Sequence, residues 1–267
     1  MTITEALVSR LVAEQFPQWA GLPVSPVEPG GWDNATFRLG DDMSVRLPTA
    51  DRYVPQVDKE HRWLPFLGPR LPRRVPEPVA RGGPGCGLPR PWSIYRWLEG
   101  ERVTGQTVAD LEQLASDVAG FLIALHGIDT EGGPPPGEHN FFRGGPLATY
   151  DGETREAIEA LGDTIDTRRA TEVWDAALAA SWTGAPVWVH GDLGAENLLV
   201  VDGRLNAVID FGCLGVGDPA CDLTMAWTFL SGASRTVFCD RLPFDPGTWA
   251  RARGWGLWKE LVTRRAA

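Results

Sequence analysis

At 267 residues the chain is long enough to bury a full core, as one large or two small domains. Its 43% hydrophobic and 22% charged residues are those of an ordinary soluble globular protein, and no apolar run approaches the length of a transmembrane helix. A net charge of −10 argues against nucleic acid or an anionic membrane as partner and is compatible with a cationic ligand. The N-terminal MTITEALVSRLVAEQF carries Glu5 and Glu14 and has no basic region ahead of an apolar stretch, so it reads as an amphipathic helix rather than a signal peptide. Residues 37–39 and 43–47 read as short strands around Gly40-Asp41-Asp42. Residues 56–67 read as a helix with Val57, Glu60 and Leu64 on one face, at i, i+3 and i+7.

The proline-rich stretch 65–91 reads as an extended connector, and 92–98 as a strand that ends at a Glu99-Gly100 hinge. From there the pattern turns helical. Leu111, Leu114, Val118, Phe121, Leu122 and Leu125 share a helix face; 132–146 is a Gly/Pro-rich loop; 151–182 has helical periodicity with many acids. After Asp222 the tail is helical, broken at 243–246. There is no internal repeat. Cys86, Cys213, Cys221 and Cys239 lack CxxC spacing, which predicts a cytoplasmic protein with reduced thiols.

Residues 187–212, VWVHGDLGAENLLVVDGRLNAVIDFG, are the most informative. Residues 187–189 form a strand that delivers His190 and Asp192 to a turn. The apolar runs 198–201 and 205–209 are joined through Asp202-Gly203, a strong hairpin signal. Folding about that turn pairs Asn197 roughly with Val208 and brings Asp210 to the same open end, with Asp192 on the loop that feeds it. Oxygen ligands there suit a hard cation such as Mg²⁺, which takes one or two protein groups plus substrate phosphates.

Asp192, Asn197 and Asp210-Phe211-Gly212 reproduce the spacing of a kinase catalytic loop and its metal-binding Asp-Phe-Gly. With His190-Gly191-Asp192-Leu193 and Gly217-Asp218-Pro219-Ala220-Cys221-Asp222-Leu223, the chain resembles the aminoglycoside phosphotransferase family of kinase-like enzymes over roughly residues 28–260. The resemblance implies an α+β, bilobal, protein-kinase-like fold. Residues 1–97 would be a small β-rich nucleotide-binding lobe and 98–267 a larger helical lobe for catalysis and substrate binding.

It also implies roles. Asp192 would orient the acceptor hydroxyl and take its proton; Asn197 and Asp210 would hold Mg²⁺; His190 and Asp222 would support the catalytic loop, and Asp218 would serve as a helix cap. Pro29-Gly30-Gly31-Trp32-Asp33-Asn34 stands where kinases carry a glycine-rich loop, so Gly30, Gly31 and Asn34 are nucleotide-binding candidates, although the full GxGxxG is absent and an ordinary turn has the same sequence. Arg46 stands where protein kinases have a strand lysine, and Glu60 is placed to pair with it. Arg96, Trp97 and Leu98 would offer backbone groups to a purine. The donor would be ATP or GTP. The acceptor is a small-molecule hydroxyl, expected to be of an aminoglycoside-type, cationic antibiotic facing the acidic segment 151–166, with Asp151, Glu153, Glu156, Glu159, Asp163 and Asp166. Another antibiotic (macrolide or nucleoside), a metabolite, or a non-catalytic pseudokinase module remain as alternatives. Trp227, Trp249, Trp255 and Trp258 fit a stacking surface or the core equally. No Walker A, GxSxG or HExxH pattern is present.

Overall fold

Alternation of apolar and polar residues builds the first sheet. The computed structural model describes residues 2–28 and 30–266; Pro29, in the predicted glycine turn, lies outside them. The chain forms two compact units. One runs to Pro69 and resumes over Arg74–Glu99; the other holds Arg70–Arg73 and the chain from Gly100 onward.

The first unit contains helix α1 (Glu5–Gln15), strands β1 (Val24–Pro26), β2 (Asn34–Leu39) and β3 (Met43–Pro48), helix α2 (Val54–Leu67), and strands β4 (Pro78–Gly82) and β5 (Trp92–Arg96). The strands pair antiparallel in the order β1-β2-β3-β5-β4. Leu7, Val8, Leu11 and Val12 of α1 are buried in one cluster with Phe37, Leu39, Val45, Leu47, Trp92 and Ile94. Those strand residues sit at alternate positions and so share a face. Each such side chain contributes roughly 1.5–3 kcal/mol on burial, which makes this face the core of the unit. The opposite face carries Arg46, Ser93 and Tyr95, where α2 supplies Glu60 and His61 as partners.

The proline-rich stretch is not the plain connector the sequence predicts. Pro65 lies inside α2, and β4 forms within the stretch and pairs with β5 across a bulge. Pro78 opens β4, the outermost strand of the sheet, and proline is tolerated at the first position of an edge strand.

The second unit contains β6 (Glu101–Arg102), α3 (Leu111–His126), α4 (Asp151–Leu161), α5 (Thr167–Ala179), β7 (Val187–Val189), β8 (Leu198–Val201), β9 (Arg204–Val208), β10 (Gly215–Gly217), α6 (Met225–Thr228), α7 (Gly232–Arg241) and α8 (Pro246–Ala266). Asp110 caps α3 by accepting from the amides of Glu112 and Gln113 at 2.9 and 3.0 Å. The acidic helical run divides into α4 and α5, because Asp166 starts a new helix by accepting from the Arg169 amide at 2.9 Å. The predicted break before α8 is present, and Asp245 caps that helix through Thr248. Helix α8 packs against α4, α5 and α6, while α3 packs against α7. Two short antiparallel ladders, β6-β8-β9 and β7-β10, hold the loops between them. Trp255 and Trp258 are buried, and Trp227 packs edge-on to Trp249 at 5.9 Å. The fold is α+β, with a small antiparallel sheet followed by a helical C-terminal part, as expected. Among the described residues no helix is long and apolar enough to cross a membrane.

Candidate active site

The catalytic loop is set by a turn and a buried carboxylate. Asp202 and Gly203, both at positive φ (50° and 74°), close the β8–β9 hairpin, as a two-residue primed turn requires. Leu198 pairs with Val208, one residue from the predicted register, and the Ile209 amide donates to the Asn197 carbonyl at 2.9 Å. Asn197 and Asp210 therefore lie at the same end of the hairpin. β7 pairs with β10 and leads into His190.

Asp222 ties this loop down from below. Its two carboxylate oxygens accept from the amides of His190 and Gly191, each at 2.7 Å, and it is fully buried. Burial pushes its carboxyl up to about 6, while His190 and the two amide donors restrain the rise. Gly191 has φ +85°, and a Cβ there would stand 2.3 Å from the Cys213 carbonyl oxygen, so only glycine fits. The buried His190 ring has Nε2 2.9 Å from the Ile209 carbonyl, and its Nδ1 accepts from the Asp192 amide at 3.2 Å. Those two bonds coexist only in the tautomer protonated on Nε2. His190 thus joins the two strands that bear the site, with Phe211 against its ring at 4.5 Å.

Asp192 is held from three sides. Its carbonyl accepts from Asn197 Nδ2 at 2.9 Å. Its Oδ1 accepts from Lys259 Nζ, on α8, at 2.9 Å. Its Oδ2 has only a 3.5 Å contact with Asn197 Nδ2 among the described residues, which leaves that oxygen open. Burial pushes the carboxyl up, but the positive charges of Lys259, in contact with it, and of Arg143 outweigh burial and hold it below the ordinary aspartate value. Sequence reasoning missed both cations. The available signal was rarity: Lys59 and Lys259 are the chain's only lysines.

Asn197 Oδ1 accepts no hydrogen bond among the described residues. Asp210 adopts φ 65°, ψ 68°, a left-handed conformation that costs about 1–2 kcal/mol outside glycine and that aspartate tolerates better than most. Among the described residues no group of three or more His, Cys, Asp or Glu side chains converges on a metal cage. A two-oxygen donor set fits Mg²⁺, which leaves most of its shell to water and nucleotide phosphates.

Asp218 does more than the expected capping. It accepts from the Ala220 amide at 3.0 Å, and also from Arg251 of α8 at 2.6 and 3.2 Å, with both side chains almost wholly buried. This bidentate pair fastens α8 beneath the catalytic segment.

The expected nucleotide-binding residues lie in the first unit. Arg46 Nη1 is 3.4 Å from Glu60, whose carboxylate also accepts from the Tyr95 hydroxyl. Gly31 is not at positive φ, and a Cβ at Gly30 would meet open space. Gln56 donates to Asp33 at 2.9 Å and so ties this turn to α2. Asn34 is buried at the start of β2, opposite Pro48. The Arg96 and Trp97 amides already donate to the Glu77 and Asp42 carbonyls, at 2.9 and 2.8 Å. A cavity of about 740 Å³ is lined by Asp42, Leu64, Glu77, Arg96, Trp97 and Leu98 among others.

Most of the suspected acidic segment is engaged internally. Asp151 accepts from Arg155 and from the Trp174 indole, Glu153 from the Trp258 indole at 2.7 Å, and Glu156 pairs with Arg265 at 3.5 Å. Asp166 caps α5, and Glu159 and Asp163 are exposed.

A family model described as "Phosphotransferase enzyme family" matches residues 24–255. Viomycin phosphotransferase of Streptomyces vinaceus is 31% identical over 161 residues, 56% of this chain and 54% of that protein. Aminoglycoside 3'-phosphotransferase of Escherichia coli is 42% identical over 45 residues, 17% of each. The match thus spans about half the length, or less, of these curated relatives. Among solved structures, the GDP and kanamycin complex of APH(2")-IIia superposes with a TM-score of 0.75 at 20% identity, covering 97% of this chain and 92% of that one. Macrolide 2'-phosphotransferase MphH from Brachybacterium faecium gives 0.65 at 23%, covering 98% and 93%. At such identities the likeness is one of fold.

Proposed function

The chain belongs to the phosphotransferase enzyme family, and from that premise we propose that it transfers the γ-phosphate of ATP or GTP to a hydroxyl of a small molecule. The observation that carries this reading is the state of Asp192: its backbone and Oδ1 are fixed, and its Oδ2 is open. An acceptor hydroxyl donating to Oδ2 is oriented for attack and gives up its proton to that oxygen as its bond to the γ-phosphorus forms and the bond from that phosphorus to the β–γ bridging oxygen breaks, releasing the nucleoside diphosphate. The loop needs no rearrangement for this, since Asp222, His190 and Asn197 already hold it.

Asn197 and Asp210 are the residues to hold Mg²⁺, whose chemistry here is to neutralise the charge of the nucleotide's phosphates. The first unit is assigned the nucleotide, through Arg46 held by Glu60, the turn at Gly30, Gly31 and Asn34, and the segment Arg96-Trp97-Leu98. The second is assigned catalysis and the acceptor. Relatives named for viomycin, aminoglycosides and macrolides make a hydroxylated antibiotic the first acceptor class to test. Four free cysteines support a reducing, cytoplasmic setting.

The test is a product screen by mass spectrometry with Mg²⁺ and ATP or GTP over a panel of hydroxylated compounds, with Asp192→Asn as control. Phosphate gained by one compound and lost in the variant supports the assignment; equal transfer by the variant sinks it.

A further inference from the structure

The catalytic carboxylate already carries a cation of the chain's own. Lys259 Nζ lies 2.9 Å from Asp192 Oδ1 and 2.7 Å from Glu196 Oε1. A second cation, Arg143, helps Lys259 hold the Asp192 carboxyl down; it is stacked on Trp258 at 4.4 Å and Trp255 at 5.2 Å, and its Nε and Nη1 are buried without a hydrogen-bond partner among the described residues. Lys259 thus bridges two carboxylates, and its positive charge sits on the one that carries the open oxygen. Asp222 is sealed under the loop, and Asp210 is assigned to the metal. Asp151, Glu153 and Glu156 are bonded to Arg155, Trp258 and Arg265. Among the described residues, the charged group bonded to the Asp192 carboxylate is the Lys259 ammonium.

We propose that Lys259 is a specificity-determining residue that disfavours polycationic acceptors, and that the acceptor presents an uncharged, polyhydroxylated group, of sugar or polyol type, beside the reacting hydroxyl. The proposal rests on the phosphotransferase reading above. A lysine ammonium has three hydrogens to donate. Two go to Asp192 and Glu196, and the third is available to an acceptor oxygen next to the hydroxyl that Asp192 takes. An ammonium group at that position meets like charge at close range, where partial burial weakens screening. A hydroxyl or ether oxygen at the same position gains a charge-assisted hydrogen bond.

The test is calorimetric titration of kanamycin, a polycation, into the full chain and into Lys259→Met and Lys259→Glu, with nucleotide and Mg²⁺ present. Kanamycin should bind the wild type weakest, with affinity rising at least tenfold in Lys259→Glu and by less in Lys259→Met. Wild-type affinity equal to or above that of both variants overturns the proposal. Lys259→Met, which adds no charge, decides the matter if Lys259→Glu does not fold. In turnover, sugars and polyols should show a higher kcat/KM than kanamycin, and the reverse order also overturns it. The parent reading fails separately, through absence of Asp192-dependent turnover of nucleotide with every acceptor and with water, and the titration still decides the charge argument.

Discussion

Each unit places a carboxylate beside a cation at about 3 Å, and the two pairs differ in what they leave open. In the first unit Glu60 is 4% exposed and Arg46 15%, and the Tyr95 hydroxyl takes up more of the Glu60 carboxylate. In the second, Asp192 is 32% exposed and Lys259 28%, and Asp192 Oδ2 keeps room for a further donor. The same chemistry therefore serves two ends. The closed pair fixes an arginine on a sheet face; the open pair keeps a carboxylate ionised and available.

The sharpest way to break this contrast is to neutralise each carboxylate. Asp192→Asn should leave the fold intact, because the amide can still meet Asn197, and should lower turnover by about 10²–10⁴-fold, the usual worth of a positioned acid–base group. Steady-state rates beside a thermal melt check this; a variant that loses stability instead of rate would make Asp192 a structural residue. Glu60→Ala should do the opposite and cost about 3 kcal/mol of stability, because it removes the carboxylate of a largely buried ion pair and the acceptor of the buried Tyr95 hydroxyl. Urea unfolding measures it, and a loss under about 1 kcal/mol would reduce the pair to surface chemistry.

The two pairs also differ in how readable they were. Glu60 was found by helical spacing, three positions after Val57 and four before Leu64, and Arg46 by strand alternation between Val45 and Leu47. Both are local periodicities. The loop from His190 to Asp210 was legible for the same reason, since one hairpin gathers its residues. Lys259 lies 67 positions from Asp192, and no period links them; only the packing of α8, fixed by the buried Asp218–Arg251 pair, brings it there. In the acidic segment composition shows the charges and hides their partners: Trp174, Trp258 and Arg265 are bonded to it from elsewhere in the chain. The edge strand β4 was missed because its prolines mask the strand pattern.

Arg46→Ala sharpens the comparison from the other side of the first pair. If the closed pair exists to aim the guanidinium at nucleotide phosphates, the variant should weaken nucleotide affinity about tenfold, roughly 1.4 kcal/mol, with kcat changed little at saturation. Unchanged affinity in a fluorescence titration would confine Arg46 to holding α2 on the sheet.

The smallest effect is a contrast of two histidines. In His190 both ring nitrogens are hydrogen-bonded; in His126, at the end of α3, Nε2 is buried with no partner among the described residues. Burial lowers the His126 pKa to about 4 from its ordinary 6.5. The folded state thus resists protonating a ring that the unfolded chain protonates freely. The stability this contributes is complete above pH 6.5, and it is lost as the pH falls through the window from 6.5 to 4. Discounted for partial exposure, the loss is about 1 kcal/mol at pH 5. His126→Phe keeps an aromatic ring against Phe244, now 5.8 Å from the imidazole, and removes the titration. Urea unfolding at pH 7 and pH 5 should show the wild type losing more stability on acidification than the variant. Parallel losses would mean that solvent reaches the His126 ring and that its burial carries no electrostatic cost.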